Sequence, residues 1–250
     1  MKEFGAYYQV YKNPYATYKC LESFRKLYPN STIVLACDNG YNYSKMAEHF
    51  NCIYIHNNEN LWLIYEDGGD IKKGKNGEHV QWLNKLLGRL SYGFAQVKED
   101  YFIWLEDDVS VNNIVNDDLY CDINGYNPNS YWHSMLVKLN QKYPIIDINK
   151  YYTWSGGGGS IFNKNKILKY LENTEIINDV AFNWYDYNLT RNIVCDFFLS
   201  LITHLNGGTV GPLNNHYDCY YYNPNIDIQH QFKIYYNIEM PAELKYLYLE

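Results

Sequence analysis

The sequence has no CxxC pair, no block of Lys or Arg, and no apolar run of membrane-spanning length. Its six cysteines, at 20, 37, 52, 121, 195 and 219, offer no paired spacing for zinc. Cys37 and Cys52 lie in apolar, strand-like runs, where a buried reduced thiol is the expectation. The net charge of -7, with no basic patch, argues against nucleic acid as the main partner. Residues 1–10 hold no apolar core of signal-peptide length. The longest apolar stretch, 193–202, is broken by Asp196 and is too short to span a bilayer. A cytoplasmic protein without a membrane span is expected. Three sequons, at Asn30, Asn42 and Asn188, would matter only in a secreted chain.

What the chain has in excess is tyrosine, 29 residues in 250, alongside much Asn and Ile. That bias matches an AT-rich genome of the kind large DNA viruses and some low-GC microbes carry, and a viral origin would make the expected cytoplasm that of a host. Tyr packs a ring and keeps a hydroxyl, so a Tyr-rich pocket suits a sugar or a nucleobase. Apolar content of 47% and charged content of 20% suit a folded domain of this length.

The first hundred residues alternate strand and helix. Strands are expected over 6–11, 32–37 (TIVLAC), 52–55 and 101–105 (YFIWL), and helices over 15–27, 43–50 and 79–98. The continuous apolar runs at 32–37 and 101–105 read as strands buried on both faces. This pattern predicts an α/β protein: one compact, Rossmann-like unit with a mostly parallel central sheet flanked by helices. Its two functional halves divide at 1–112 and 113–250. The second half is less regular, with helices expected at 166–172 and 196–205. Ligands of such sheets bind beyond the carboxyl ends of the strands, where Asp38 and Glu106-Asp107-Asp108 both fall.

Three adjacent carboxylates after a buried strand repel one another and are costly to bury without a cation. Mn²⁺ and Mg²⁺ accept such oxygen ligands and leave positions open for phosphate. Alternation along an extended chain would put Glu106 and Asp108 on one side and Asp107 on the other. Four glycines at 156–159 fit close approach of backbone to a ligand, since no Gly-Lys-Ser/Thr follows to make a P-loop.

The stretch YFIWLEDDVSV resembles the hydrophobic strand and DxD-type motif of GT-A glycosyltransferases, with Glu106 where many members have Asp. The opening AYYQVYKNP, a helix and then TIVLACDNG resemble the nucleotide-binding half of these enzymes. The resemblance implies a nucleotide-sugar donor, a UDP- or GDP-sugar, and a divalent metal. It places the base and ribose near Tyr8, Gln9, Tyr11, Asp38 and Asn39. Asp108 and a late His, His230, would hold the metal with Glu106 or Asp107 in support, and His216 is the rival histidine. Lys233 would neutralise the leaving diphosphate. Lys85 or Arg89 would touch that diphosphate, or else belong to a solvated helix face. Gly157 and Gly158 would border donor sugar and acceptor. An inverting transfer to a glycan, protein or small-molecule hydroxyl would use Asp196 as base, with Asp186 and Asp179 as competitors. Two other readings remain: a sugar nucleotidyltransferase, for which the segment after the first strand lacks the usual Gly-rich signature, and a catalytically silent carbohydrate-binding protein of the same fold.

Overall fold

The structure, a computed structural model, describes residues 2–59, 78–116, 118–125, 137, 140–143, 158–183 and 195–248. The amino-terminal half runs β1 (Gly5–Val10), α1 (Pro14–Leu27), β2 (Ile33–Cys37), α2 (Ser44–His49), β3 (Ile53–His56), α3 (Glu78–Ala95) and β4 (Tyr101–Leu105). Short strands follow at β5 (Ser110–Val111), β6 (Ile123–Gly125) and β7 (Ile161–Asn163). Next come α4 (Lys164–Leu171), α5 (Thr174–Phe182) and α6 (Cys195–Leu205). Strands β8 (Val210–Pro212), β9 (His216–Asp218) and β10 (Ile228–His230) precede a closing 3₁₀ turn, Ala242–Leu247.

A seven-stranded sheet has the order β3-β2-β1-β4-β7-β6-β8. It is parallel through β3, β2, β1 and β4, and the antiparallel β7 joins strands from both halves of the chain. Alternation sorts its side chains into two cores. Tyr7, Val34, Ala36, Phe102, Trp104 and Phe162 face α3 and α6. Tyr8, Val10, Ile33, Leu35, Ile103 and Leu105 face α1 and α2. Each large apolar side chain so buried contributes roughly 1.5–3 kcal/mol, which is why both faces must be covered. The Phe102 and Phe162 rings stack at 5.2 Å across the β4–β7 pairing.

A second sheet, β5-β10-β9, is small but places the site. β5 begins two residues after Asp108 and pairs antiparallel with β10, Val111 opposite Ile228. β10 pairs parallel with β9, so His230 lies opposite Asp218. The chain thereby returns to the acidic triplet from more than a hundred residues away. Among the described residues, no helix is long and apolar enough to cross a membrane.

Candidate active site

The triplet occupies a tight turn, closed by the Val109 N–H donating to the Glu106 carbonyl at 3.1 Å. It is a turn, where an extended segment was expected, but it sorts the carboxylates in the same way. Asp107 turns aside: Asn13 Nδ2 donates to its Oδ2 and the Tyr236 hydroxyl to its Oδ1. Burial lifts the Asp107 carboxyl above its ordinary value, while these two donors pull it back. Asn13 is the N-cap residue of α1 but makes no side-chain cap, because its amide serves Asp107. Pro14 starts the helix and needs no N–H partner there.

Glu106 and Asp108 converge with His230, and one ligand atom from each lies within 4.8 Å of the others. His230 Nε2 is 3.7 Å from Asp108 Oδ1 and Lys233 Nζ is 3.4 Å from Asp108 Oδ2. Asp108 is buried, and among the described residues its Oδ1 has no hydrogen-bond partner. Such an oxygen is costly to bury unless a cation meets it. His230 Nδ1–H donates to Asp218 Oδ1 at 2.7 Å, while its Nε2 accepts from Gln231 Nε2 at 3.1 Å. This tautomer turns the basic nitrogen towards Asp108, the arrangement that carboxylate–histidine pairs give metal ligands. The His230 hydrogen bond in turn holds the Asp218 carboxyl below its usual range.

The backbone bends to make these contacts. Gln231 has φ 59, a left-handed conformation that non-glycine residues rarely adopt. That bend lets the Phe232 N–H reach the Asp108 carbonyl at 2.8 Å. Gly158 lies so close to the His230 ring that an added Cβ would come within 3.0 Å of it. Gly159, at φ 94, would meet Ile228 at 2.3 Å. These two glycines are therefore needed by the histidine strand. His216, the rival ligand, is buried and donates from Nε2 to the Gly158 carbonyl at 2.6 Å. Burial drops its pKa to about 4.

A pocket of about 510 Å³ opens over this cluster. Of the residues picked from sequence, Gln9, Tyr11 and Asp38 line one side, the triplet its floor, and His230 and Lys233 the other. Asp38 is held by the chain itself: Arg89 makes a buried ion pair with it, and Gln9 Nε2 donates to its Oδ1 at 3.0 Å. The Tyr7 hydroxyl donates to Gln9 Oε1 at 2.6 Å, completing the chain of contacts. Arg89 reaches Asp38 because Gly93, one turn on, lets α3 press against the Tyr7 ring, where a Cβ would meet Cε2 at 2.4 Å.

Five expectations need correction, and three more fall outside the described residues. The Tyr8 ring is fully buried in the α1 core, because alternation turns it away from Gln9 and the pocket. Lys85 is exposed and pairs with Glu59 at 3.2 Å, outside the pocket lining. Arg89 is not on a solvated helix face, since its side chain is only 7% exposed. Asn39 is exposed and beyond the lining. Asp179, a competitor for the base, is occupied by Lys142 at 2.7 Å and by the Tyr143 hydroxyl. Gly157 and Asp186 lie outside the described residues, as does the side chain of Asp196, whose backbone is in the first turn of α6. Asn13, Asp218 and Tyr236 were not picked from sequence, and only the register of β9 against β10 would have signalled Asp218.

No family model matches the sequence, and no curated protein matches it. Solved structures do. A crystal structure of the galactosyltransferase LgtC, in complex with donor and acceptor sugar analogues, is similar over 98% of this chain and 100% of that one. Its TM-score is 0.54 at 14% identity. An active-site mutant of LgtC is similar over 91% of this chain and 86% of that one, with TM-score 0.50 and 16% identity. At such identities the likeness speaks for architecture, and the architecture is the GT-A glycosyltransferase fold.

Proposed function

We propose that the chain is a metal-dependent glycosyltransferase, moving a hexose-type sugar from a UDP- or GDP-sugar to a hydroxyl on a glycan, a protein or a small molecule. The observation that carries this reading is the convergence of Glu106, Asp108 and His230 at the carboxyl edge of a GT-A sheet. Two carboxylates and a neutral imidazole suit Mn²⁺ or Mg²⁺, and Asp108 Oδ1, which has no hydrogen bond among the described residues, is the oxygen such an ion would take. Bound by these residues, the cation supplies charge neutralisation to a departing nucleoside diphosphate.

The remaining work falls to side chains. Lys233, 38% exposed, is free to swing from Asp108 towards the leaving diphosphate and offset its growing charge. Gln9 and Tyr11, which line the pocket, receive base and ribose. Asp38 acts indirectly, since Arg89 and Gln9 already use its oxygens to stiffen the pocket wall. Tyr236 and Asn13 hold Asp107, and through the turn they fix the angle between Glu106 and Asp108. Gly157 and Gly158 border the donor sugar, and Asp196 is the base for an inverting course.

Isothermal calorimetry of UDP, GDP and their sugars, with and without Mn²⁺, tests the reading. Metal-dependent binding of one nucleoside diphosphate is expected, and failure of all of them to bind sinks it. Donor hydrolysis across a panel of nucleotide sugars then names the sugar. The anomeric configuration of the product, read by NMR, decides the stereochemical course.

A further inference from the structure

Between β9 and β10 the chain displays three consecutive tyrosines, Tyr220, Tyr221 and Tyr222, which are 53%, 74% and 59% exposed. A loop with large rings in water is ordinarily slack, and this one is tied down. Gln229, fully buried, donates from Nε2 to the carbonyls of Cys219 and Tyr221 at 2.6 Å each. Its Oε1 accepts from the Asn223 N–H at 3.0 Å. Asn112 holds the far end through the carbonyls of Asn223 and Ile226, at 3.1 Å each. A buried amide that satisfies the backbone of an exposed loop fixes how that loop presents its side chains.

The loop is also continuous with the metal-ligand cluster. Asp218, just before it, orients His230, and Gln229, just after it, is the residue preceding His230. The Tyr222 ring sits 6.4 Å from Phe232, whose N–H donates to the Asp108 carbonyl. Tyr222 further walls a groove of about 570 Å³ that shares Asp107 with the central pocket.

Charge narrows what such a surface accepts. Residues 216–227 contain two Asp and no Lys or Arg, so the tyrosine loop brings no cation of its own to a phosphate backbone or an anionic membrane, and Lys19 and Lys26 stand only in the wall of the neighbouring groove. Neutral rings with hydroxyl tips, interspersed with Asn, match a neutral polyhydroxylated ring: its C–H face packs on the aromatic face and its hydroxyls meet the polar tips. The Tyr220 and Tyr221 rings lie 5.1 Å apart at 82°, presenting two surfaces at right angles. We propose that Tyr220, Tyr221 and Tyr222 form a docking platform for the carbohydrate acceptor, an oligosaccharide of at least two sugar rings. The proposal rests on the transferase reading above.

The test uses the full chain on an array of neutral α- and β-linked oligosaccharides, followed by calorimetry with the glycan best retained. The double variant Tyr220→Ala/Tyr221→Ala removes exposed rings, so thermal unfolding should be unchanged. Glycan affinity should fall about tenfold or more, while Mn²⁺-dependent nucleotide binding is kept. Tyr220→Trp/Tyr221→Trp should restore glycan binding, which a purely structural role for the tyrosines would not require. The platform is overturned if a wild-type chain that binds nucleoside diphosphate retains no glycan, or if the Ala variant binds glycan equally well. It is also overturned if the lost function is instead self-association by light scattering or binding to phosphatidylcholine vesicles. Glycan binding through the tyrosines without any nucleotide binding would overturn the acceptor role together with the transferase reading, leaving a carbohydrate-binding surface.

Discussion

Two buried carboxylates stand at the carboxyl edge of one sheet, after β2 and after β4, and they are treated in opposite ways. Asp38 has its cation within the chain: Arg89 pairs with it at full burial and Gln9 completes the shell. Asp108 is nearly as buried, yet it faces only a half-exposed lysine at 3.4 Å and, at 3.7 Å, a neutral imidazole directed by another carboxylate. One of its oxygens has no hydrogen bond among the described residues. A pair closed by its own guanidinium is architecture, whereas a carboxylate left partly open at a pocket floor is a place for a ligand from outside. The contrast separates two residues that a motif search would class together as site aspartates.

The sharpest way to break the contrast is Asp108→Asn. Mn²⁺-dependent nucleotide binding should fall more than about 100-fold, beyond the range for residues that only orient a ligand. The variant should be no less stable than wild type without metal, because it removes a carboxylate crowded by its neighbours. Mn²⁺ should raise the unfolding temperature of wild type and leave the variant unmoved. A variant that is strongly destabilised, with nucleotide binding intact, would make Asp108 structural like Asp38.

Arg89→Leu probes the other side. Leaving Asp38 buried and unpaired should cost about 3–5 kcal/mol in denaturant unfolding. Asp38→Asn/Arg89→Leu together should be less harmful than Arg89→Leu alone, since no lone charge remains. If the single change costs nothing, the Asp38 pair is not the closed structural unit described.

The same division recurs in two histidines. His216 is enclosed and bonded to the Gly158 carbonyl, and its pKa lies at about 4 against an ordinary value near 6.5. The unfolded chain therefore binds a proton between those values and the folded chain does not. Stability is fully present above about pH 6.5 and declines as pH falls towards 4, by about 3 kcal/mol in all. The lowered carboxyls of Asp218 and Asp179 lose their contributions only further down, and the raised Asp107 opposes the trend close to its own range. Urea unfolding at pH 7 and pH 5 should show the decline, and His216→Gln should flatten it.

Much of this architecture was legible where the chain is regular. The strands over 33–37 and 101–105 and the helices over 14–27 and 78–95 lie within a few residues of their expected bounds, because long apolar or periodic runs announce themselves. The helix at 174–182 went unforeseen, since nine residues capped by Asn173 carry little pattern. The site divided in the same way. The triplet was visible as three carboxylates ending a buried strand, and His230 through family resemblance. Asp218 and Tyr236 were invisible because strands of two or three residues and one left-handed bend bring them in, and Asn13 because its amide turns from the expected helix cap to Asp107. Tyr8 misled because one residue of alternation decides between pocket and core.

Asp218 offers the finest test of the contrast, because it is the residue that keeps His230 from becoming a second closed pair. Its carboxylate accepts a hydrogen bond from Nδ1–H and leaves Nε2 facing Asp108. Asp218→Asn keeps the shape but weakens that acceptance, so the ring loses its fixed tautomer. Mn²⁺ affinity measured by calorimetry should drop about tenfold, roughly 1.4 kcal/mol. Thermal stability should barely change, since Asp218 is 46% exposed and surface pairs contribute little. Asp218→Glu should recover part of the affinity by restoring a charged acceptor. If Asp218→Asn binds Mn²⁺ as wild type does, His230 is not held for a metal, and the cluster reduces to a surface histidine beside two carboxylates.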